Sequence, residues 1–393
     1  MRLHQAGAIP ANTFLFDADA FAANGAALRA AAEREGLRLY FMTKQHGRNP
    51  ELFRRVVREG ARETVAVAME DARVLHRHGI ALGHVGNLVQ TPKGELEKVV
   101  GTYRPEVISV FGLAKAEQVD AAAARVGTVQ PVLLRVHGPG DVLFPGMEGG
   151  FRLDELPAAV ERLKRLEHIR VAGVTSFPVL RYDAAGGQPA ATPNLASLGA
   201  AREILERAGV AVEQVNAPGN TSASTMRFLR EAGATHVEPG SALTASTTFH
   251  LYDDDLPEQP AMVYVTEVAQ TWADKTYVYG GGFFIDDPPV PLREGFRRVA
   301  LAGSDEDEIL EHELTWEGIG ARGGGSFAAI DYHGVLQAGA TPAAVGDTVV
   351  FGFRAQLFMT RAHVGVVEGL SQGDGRLVGV WDWASHRIGG GIE

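Results

Sequence analysis

Cysteine is absent from this chain of 393 residues. Disulfides, thiolate metal sites and a cysteine nucleophile are therefore excluded, which leaves lysine, histidine, tyrosine and the carboxylates for any chemistry. Basic residues are also fewer than acidic residues, with 37 Lys+Arg against 48 Asp+Glu and a formal net charge of −11. Such an acidic chain is poorly suited to bind nucleic acid or an anionic membrane. We therefore expect a partner that is a small molecule.

Long apolar runs are missing as well, since no stretch approaches the roughly 18 residues of a membrane-spanning helix. The N-terminal residues lack the basic and apolar pattern of a secretion signal. We therefore expect a cytoplasmic protein with no membrane partner. The scattered histidines have no carboxylate or cysteine neighbours at ligand spacing, so no metal site is predicted.

Between Asp17 and about Ser246, short apolar runs alternate with stretches of helical period, which indicates repeated strand–helix units. Eight such units predict a TIM barrel. After about residue 250 the pattern changes to short alternating runs broken by Gly, Pro and Asp, which is typical of a mostly β domain. We thus predict an α/β protein with a TIM (β/α)8 barrel over 1–248 and a mostly β C-terminal domain over 249–393. The predicted barrel strands are 37–42, 64–68, 81–86, 107–110, 131–136, 170–175, 212–215 and 235–238.

Polar residues that follow the predicted strands mark the candidate site, because TIM-barrel active sites form at the carboxyl ends of the strands. Lys44 follows the first strand. A lysine buried in the barrel mouth is costly to keep as an ammonium ion, which suits it to form an imine with an aldehyde. Arg48, in the glycine-containing turn that comes next, can offer its planar guanidinium to a phosphate.

Two turns that follow the seventh and eighth strands are typical of the phosphate cradle of this fold. The first turn opens a helix, whose backbone N–H groups and dipole favour an anion. In the second turn, Gly240 permits close approach of the backbone. A lysine, a carboxylate and a phosphate cradle at one rim predict a pyridoxal phosphate site, with Glu238 as partner of the ring nitrogen. The candidate contacts are Asn216, Gly219, Asn220, Thr221, Ser222, Glu238, Gly240 and Ser241.

The segment YFMTKQHGRNP resembles the cofactor-lysine motif of the alanine racemase-like (fold type III) pyridoxal phosphate enzymes, most closely their YhfX-like branch. The resemblance runs along essentially the whole chain. It implies that Lys44 carries the cofactor and that VNAPGNTSAS and VEPGSAL form the phosphate loops. Arg48 falls where alanine racemases carry a phosphate-contacting tyrosine, and Ser176 where they place a histidine. His137 is a further candidate that packs against the cofactor ring.

The same resemblance implies a homodimer whose sites combine the barrel of one chain with the β domain of the other. In alanine racemases the partner subunit supplies a catalytic tyrosine from a Tyr-Gly motif. The similar segment DKTYVYGGG makes Tyr279 our candidate for the second acid–base group and Tyr277 the reserve, although Tyr-Val-Tyr before glycine is also typical of a β-hairpin. The segment AAIDYHG resembles the stretch that borders the substrate carboxylate, so Asp331 and Tyr332 are candidate substrate contacts.

Glu238 stands where alanine racemases have an arginine, whereas decarboxylase relatives have a glutamate in a similar motif. A carboxylate beside the ring nitrogen favours its protonated form, which withdraws carbanion electrons better. We therefore expect a pyridoxal phosphate-dependent racemase or epimerase of an α-amino acid that acts through a quinonoid carbanion. A lyase of aldolase or decarboxylase type stays open, as does a non-catalytic cofactor-binding protein. A TIM-barrel hydrolase would need a metal or a carboxylate pair, neither of which the sequence offers.

Overall fold

The computed structural model describes residues 1–183, 185–281, 299–311, 313–319, 332–337, 343–352, 354 and 356–390. In these ranges eight parallel strands form a barrel, the first of them in two pieces on either side of Tyr40. Each strand pairs with the next along the chain, and His236 of the eighth lies opposite Arg38 of the first, which closes the barrel. The predicted barrel is confirmed, and every predicted run overlaps an observed strand. The strands are Arg38–Leu39 with Phe41–Met42, Thr64–Ala66, His84–Val85, Val107–Val110, Gln130–His137, Ile169–Thr175, Gln214–Asn216 and His236–Val237.

Helices alternate with the barrel strands along the chain, and the two that flank the first barrel strand begin at side-chain caps. The Asp17 carboxylate accepts hydrogen bonds from the backbone N–H groups at positions 19 and 20, and the Asn49 side chain does the same for positions 51 and 52. These caps satisfy N–H groups that have no partner inside the helix. The α-helices are Arg2–Gln5, Ala18–Arg34, Pro50–Val56, Met69–Arg77, Leu96–Lys98, Leu113–Val126, Leu156–Leu163, Pro193–Arg207, Met226–Glu231 and Glu306–Glu311. None of the helices in the described ranges has both the length and the apolar character needed to cross a bilayer.

A second sheet, mostly antiparallel, is built from the C-terminal part of the chain together with Thr13–Asp17. That early strand pairs in parallel with His363–Glu368 and antiparallel with Met262–Trp272. The start of the chain therefore belongs to the sheet of the C-terminal part, although the sequence pattern groups it with the barrel. In spatial order the strands are Lys275–Tyr279, His333–Gln337, Glu313–Ile319, Val299–Gly303, Thr348–Phe351, Met262–Trp272, Thr13–Asp17, His363–Glu368, Arg376–Trp381 and Arg387–Gly389.

The second sheet packs against the end of the first barrel strand. Gly47 has φ +63, and a Cβ atom added there would lie 3.1 Å from the Val364 side chain. Its carbonyl accepts a hydrogen bond of 2.7 Å from the Ser385 hydroxyl. The same buried apolar cluster contains residues of both parts of the molecule, such as Phe41 and Leu357. The β part of the same chain therefore packs beside the Lys44 turn at the mouth of the barrel.

Candidate active site at the mouth of the barrel

Lys44 begins a single 3-10 turn, Lys44–His46, at the carboxyl end of the first barrel strand, and its side chain is half-buried. Its Nζ atom lies 4.4 Å from the centroid of the Phe358 ring, which comes from the second sheet's side of the molecule. The backbone N–H of Met42 donates to the carbonyl of Pro239 at 2.9 Å. The lysine segment is therefore hydrogen-bonded directly to the turn that follows the eighth strand.

Glu238 follows the eighth strand and is the centre of a buried polar network. Its side chain is fully buried, and its Oε1 atom lies 2.5 Å from His84 Nδ1 and 2.7 Å from Asn216 Nδ2. Asn87 donates from Nδ2 to Oε2. Within the described ranges no lysine or arginine nitrogen forms an ion pair with this carboxylate. The three neighbouring side chains therefore solvate the Glu238 carboxylate, and none of them is a lysine or arginine that would neutralise its charge.

The turn after the seventh strand has two consecutive residues with positive φ. Gly219 and Asn220 have φ +121 and +54, and a Cβ atom on Gly219 would lie 3.2 Å from Pro178. The backbone N–H of Ser222 donates to Thr225, and that of residue 223 donates to Glu258. These two amides are therefore occupied by the protein itself. The amides at positions 220 and 221 have no acceptor among the described residues.

Three buried polar atoms at the same rim have no hydrogen-bond partner among the residues that the structure describes. They are Thr221 Oγ1, Asn216 Oδ1 and Gln45 Oε1. Gly240 lies against Gln45, since an added Cβ would come within 2.8 Å of its Oε1 atom. A buried polar group without a partner is costly, so these atoms indicate a polar ligand at the rim.

The two arginines of this region have different roles. Arg48, with φ +54, is buried and forms an ion pair of 2.6 Å between its Nε and Asp71. One of its terminal nitrogens donates to the carbonyl of Trp383. Arg354, from the second sheet's side, instead donates from Nε to the Ser241 hydroxyl at 3.2 Å. The guanidinium adjacent to the eighth-strand turn is thus that of Arg354, which the sequence pattern did not single out.

His137 and Ser176 lie at the carboxyl ends of the fifth and sixth strands, as expected. His137 is half-buried, whereas Ser176 is buried and accepts a hydrogen bond of 3.2 Å from Asn194. Arg135, on the fifth strand, was missed. Its guanidinium donates to the carbonyls of Asn87 and of residue 147, and burial lowers the pKa of the group. Since Asn87 also donates to the carboxylate of residue 238, one asparagine joins the buried cation and the buried anion.

The candidate tyrosines lie in the second sheet. Tyr279 is 45% exposed and Tyr332 is 69% exposed. Tyr279 stacks on His333 with ring centroids 6.5 Å apart, and Tyr277 meets the same histidine edge-on at 6.1 Å. Within one chain, Tyr277 and Tyr279 thus contact His333 on the neighbouring strand. Among the described residues, no contact joins the candidate tyrosines to Lys44. Asp331 lies outside the described residues.

His84 is the residue of the site that the sequence least revealed. Its partner Glu238 stands 154 positions later, so no spacing rule links them. A signal did exist, because a histidine inside the apolar run ALGHVG must find a polar partner when the strand is buried. In the described ranges, no group of three histidine or acidic side chains is arranged to hold a metal ion.

Comparisons with known proteins show the family of the chain. The family model described as alanine racemase, N-terminal domain, matches residues 16–247, and the YhfX-like C-terminal domain matches residues 263–377. The uncharacterized protein YhfX of Escherichia coli (strain K12) is 38% identical over 392 residues, which is 99% of this chain and 95% of that protein.

Solved structures with the same fold include proteins with different activities. A D-threonine aldolase from Filomicrobium marinum has a TM-score of 0.64 at 19% identity and covers 95% of each chain. A D-threo-3-hydroxyaspartate dehydratase from Delftia sp. HT23 has a TM-score of 0.66 at 16% identity, over 94% of this chain and 96% of that one. Alanine racemase of Clostridium difficile 630, in complex with cycloserine, has a TM-score of 0.62 at 15% identity, over 95% and 99%. The chain belongs to the alanine racemase N-terminal domain family, in its YhfX-like branch.

Proposed function

We propose that this protein is a pyridoxal phosphate-dependent enzyme that racemises or epimerises an α-amino acid. The observation that carries the proposal is that Lys44 and Glu238 follow neighbouring strands, the first and the eighth, whose ends are hydrogen-bonded to each other through Met42 and Pro239. An aldehyde on a basic pyridine ring needs two groups, a primary amine and a carboxylate. Lys44 offers the amine, and Glu238 offers a buried carboxylate that no lysine or arginine of the described residues neutralises.

The residues at the rim fit the cofactor. The unpaired Thr221 hydroxyl and the amides at positions 220 and 221 are donors suited to a phosphate, and the guanidinium of Arg354 reaches Ser241 beside them. Glu238 would face the ring nitrogen, and His137 and Ser176 would border the ring. Arg48 enters the proposal only as support for the lysine turn, because its Nε is committed to Asp71.

Pyridoxal phosphate, when bound, supplies an aldehyde for covalent attachment and a ring that withdraws electrons from the substrate α-carbon. Lys44 would hold it and move a proton at that carbon on one face. Tyr279 of a second copy of the chain would serve the opposite face, with Asp331 and Tyr332 near the substrate. The exposure of Tyr279 and Tyr332 supports such sharing, because aromatic side chains are enriched at interfaces. The enzyme would be a cytoplasmic homodimer.

An amino acid substrate is favoured by Arg135. Its buried guanidinium donates to two backbone carbonyls, and no carboxylate of the described residues forms an ion pair that would neutralise its charge. A substrate carboxylate would meet that charge. A lyase is the second candidate, because the fold is shared with an aldolase and a dehydratase.

The first experiment tests the cofactor. Purified protein incubated with pyridoxal phosphate should gain visible absorbance, and borohydride should fix the cofactor on the peptide that contains Lys44, as read by mass spectrometry. Lys44→Ala should lose this label. Lys115→Ala is the matched control, since that lysine is also half-buried and donates to the carbonyl of Thr91. Equal labelling of wild type and Lys44→Ala would refute the proposal.

The second experiment decides the reaction. Single amino acids are incubated with the loaded enzyme in deuterated water. Uptake of α-deuterium with loss of optical rotation is expected for a racemase or epimerase. Release of an aldehyde, ammonia or carbon dioxide would replace that assignment by a lyase, and binding without any exchange would leave a non-catalytic cofactor protein.

A further inference from the structure

His84 is a buried histidine with a polar partner on each ring nitrogen. It lies on the third barrel strand and is fully buried. Its Nδ1 atom is 2.5 Å from Glu238 Oε1, and its Nε2 atom is 2.7 Å from the Ser109 hydroxyl on the neighbouring fourth strand. The imidazole therefore bridges the carboxylate and a hydroxyl across two adjacent strands.

The hydrogen positions in this chain of contacts follow from what each group can donate. Ser109 is fully buried, and its hydroxyl has no other side-chain partner in the described ranges. Its hydrogen therefore points to Nε2 of His84, which must then be an acceptor. A histidine that accepts at Nε2 carries its hydrogen at Nδ1 and is neutral. The Nδ1–H group then donates to Glu238, whose oxygens can only accept when ionised.

One acceptor position of the Glu238 carboxylate has no donor in this arrangement of the described residues. Its Oε1 atom accepts from His84 and Asn216, and its Oε2 atom accepts from Asn87. An ionised carboxylate offers about four lone-pair positions, so one on Oε2 remains. All three donors are neutral in this arrangement. The charge of Glu238 is thus held in place without being neutralised, and a protonated ligand atom can complete it.

We propose that His84, backed by Ser109, is the positioning residue that holds the Glu238 carboxylate aimed at the ring nitrogen of the cofactor. This inference rests on the proposed function. Without the Nδ1–H donor, the buried carboxylate loses one of the three hydrogen bonds that fix its orientation. A carboxylate that can turn away no longer presents an oxygen to the ring nitrogen, so the site loses its preference for nitrogen over carbon at that position.

The test measures this distinction as a ratio of dissociation constants. The two probes are pyridoxine 5′-phosphate and its analogue with C–H in place of the ring nitrogen, neither of which has an aldehyde to react with a lysine. Binding is followed by calorimetry on the full-length protein. For wild type we expect the nitrogen compound to bind at least about tenfold more tightly, as a hydrogen bond to a charged group requires.

Matched variants separate positioning from packing. His84→Phe keeps a ring of similar shape and removes both hydrogen bonds, and it should bring the ratio to about one to threefold. His84→Asn keeps an amide donor near the Nδ1 position and should retain most of the ratio. The control is His236→Phe, a second buried histidine of the barrel that stacks on Tyr40 and does not contact Glu238, and it should keep the wild-type ratio. If His84→Phe does not fold, Ser109→Ala serves instead and should lower the ratio.

A purely structural role for His84 predicts a different result. General weakening of the site would raise both dissociation constants together and leave their ratio unchanged. The inference is overturned if the wild-type ratio is about tenfold or more and the same ratio is found in His84→Phe or in Ser109→Ala. The proposed function is then still supported. If wild type binds neither probe, or binds both equally, the proposed role of Glu238 fails together with the inference.

Discussion

Replacing Glu238 by glutamine should separate the stability of the cofactor-free protein from its affinity for pyridoxal phosphate. The carboxylate accepts three hydrogen bonds, from His84, Asn87 and Asn216. A bond to a charged group contributes about 1.5–3 kcal/mol and a neutral one about 0.5–1.5 kcal/mol, so the three bonds together lose about 3 kcal/mol. The new amide also places an N–H group against Nδ2 of Asn87, which is itself a donor. Asn87 can accommodate this by rotating its side-chain amide so that its oxygen accepts.

A second contribution acts in the opposite direction. The Glu238 side chain is fully buried and has no lysine or arginine partner in the described ranges, and desolvating such an ion costs several kcal/mol. Glutamine removes that cost. The two contributions nearly cancel, so the free energy of unfolding of the cofactor-free protein should change by less than about 2 kcal/mol. Affinity for pyridoxal phosphate should nevertheless fall at least about tenfold, because the ring nitrogen loses its charged partner.

Urea unfolding of the cofactor-free protein and titration of pyridoxal phosphate by absorbance measure the two quantities separately. Turnover of the loaded variant should fall while Lys44 still takes the borohydride label. A variant that loses more than about 4 kcal/mol of stability and binds the cofactor as wild type does would refute the reasoning, because Glu238 would then be a structural carboxylate.

Three further outcomes follow from neighbouring contacts. Arg48→Met should lower the free energy of unfolding by about 3–5 kcal/mol in urea, because it leaves the buried Asp71 carboxylate unpaired, while affinity for pyridoxal phosphate stays near wild type; a lost affinity with intact stability would assign Arg48 to the phosphate after all. Arg354→Met should weaken binding of pyridoxal phosphate about tenfold but not of pyridoxal, which has no phosphate, and equal weakening of both would contradict this. Burial lowers the pKa of His236 from 6.5 to about 3, so the unfolded chain binds the extra proton between these values and stability falls as the pH is lowered. His236→Phe should therefore make unfolding free energy less dependent on pH, by about 1.4 kcal/mol per pH unit between pH 6 and 4, and parallel pH profiles would contradict the assignment.

Much of the barrel was predictable because its signals are local. A buried parallel strand appears as a short apolar run, and the helix after it shows its own period, so counting such units predicts closure at eight. The order of the strands then brings Lys44 and Glu238 to the same rim, since the first and eighth strands are neighbours in a closed barrel. Positions of unusual backbone, such as Gly219, were also visible as turn residues in the sequence.

The remaining features depend on contacts between distant parts of the chain. Thr13–Asp17 is an apolar run like any other, and only pairing with His363–Glu368 decides that it joins the second sheet. The place of Arg48 in the turn predicted a phosphate ligand, which stays a prediction, and gave no sign of the ion pair that its Nε forms with Asp71. An arginine's sequence position does not specify which anion its side chain reaches.

The sequence by itself determined the barrel strands, the β pattern of the C-terminal part and the strand ends where Lys44 and Glu238 lie, because periodicity and chain order are properties of neighbouring residues. Only the tertiary structure decided the partners of these side chains. His84 reaches Glu238, and Arg354 reaches Ser241, across more than a hundred positions of sequence. Such pairs form because burial in a closed barrel removes water and obliges each polar group to find a donor or acceptor among whatever the fold brings near.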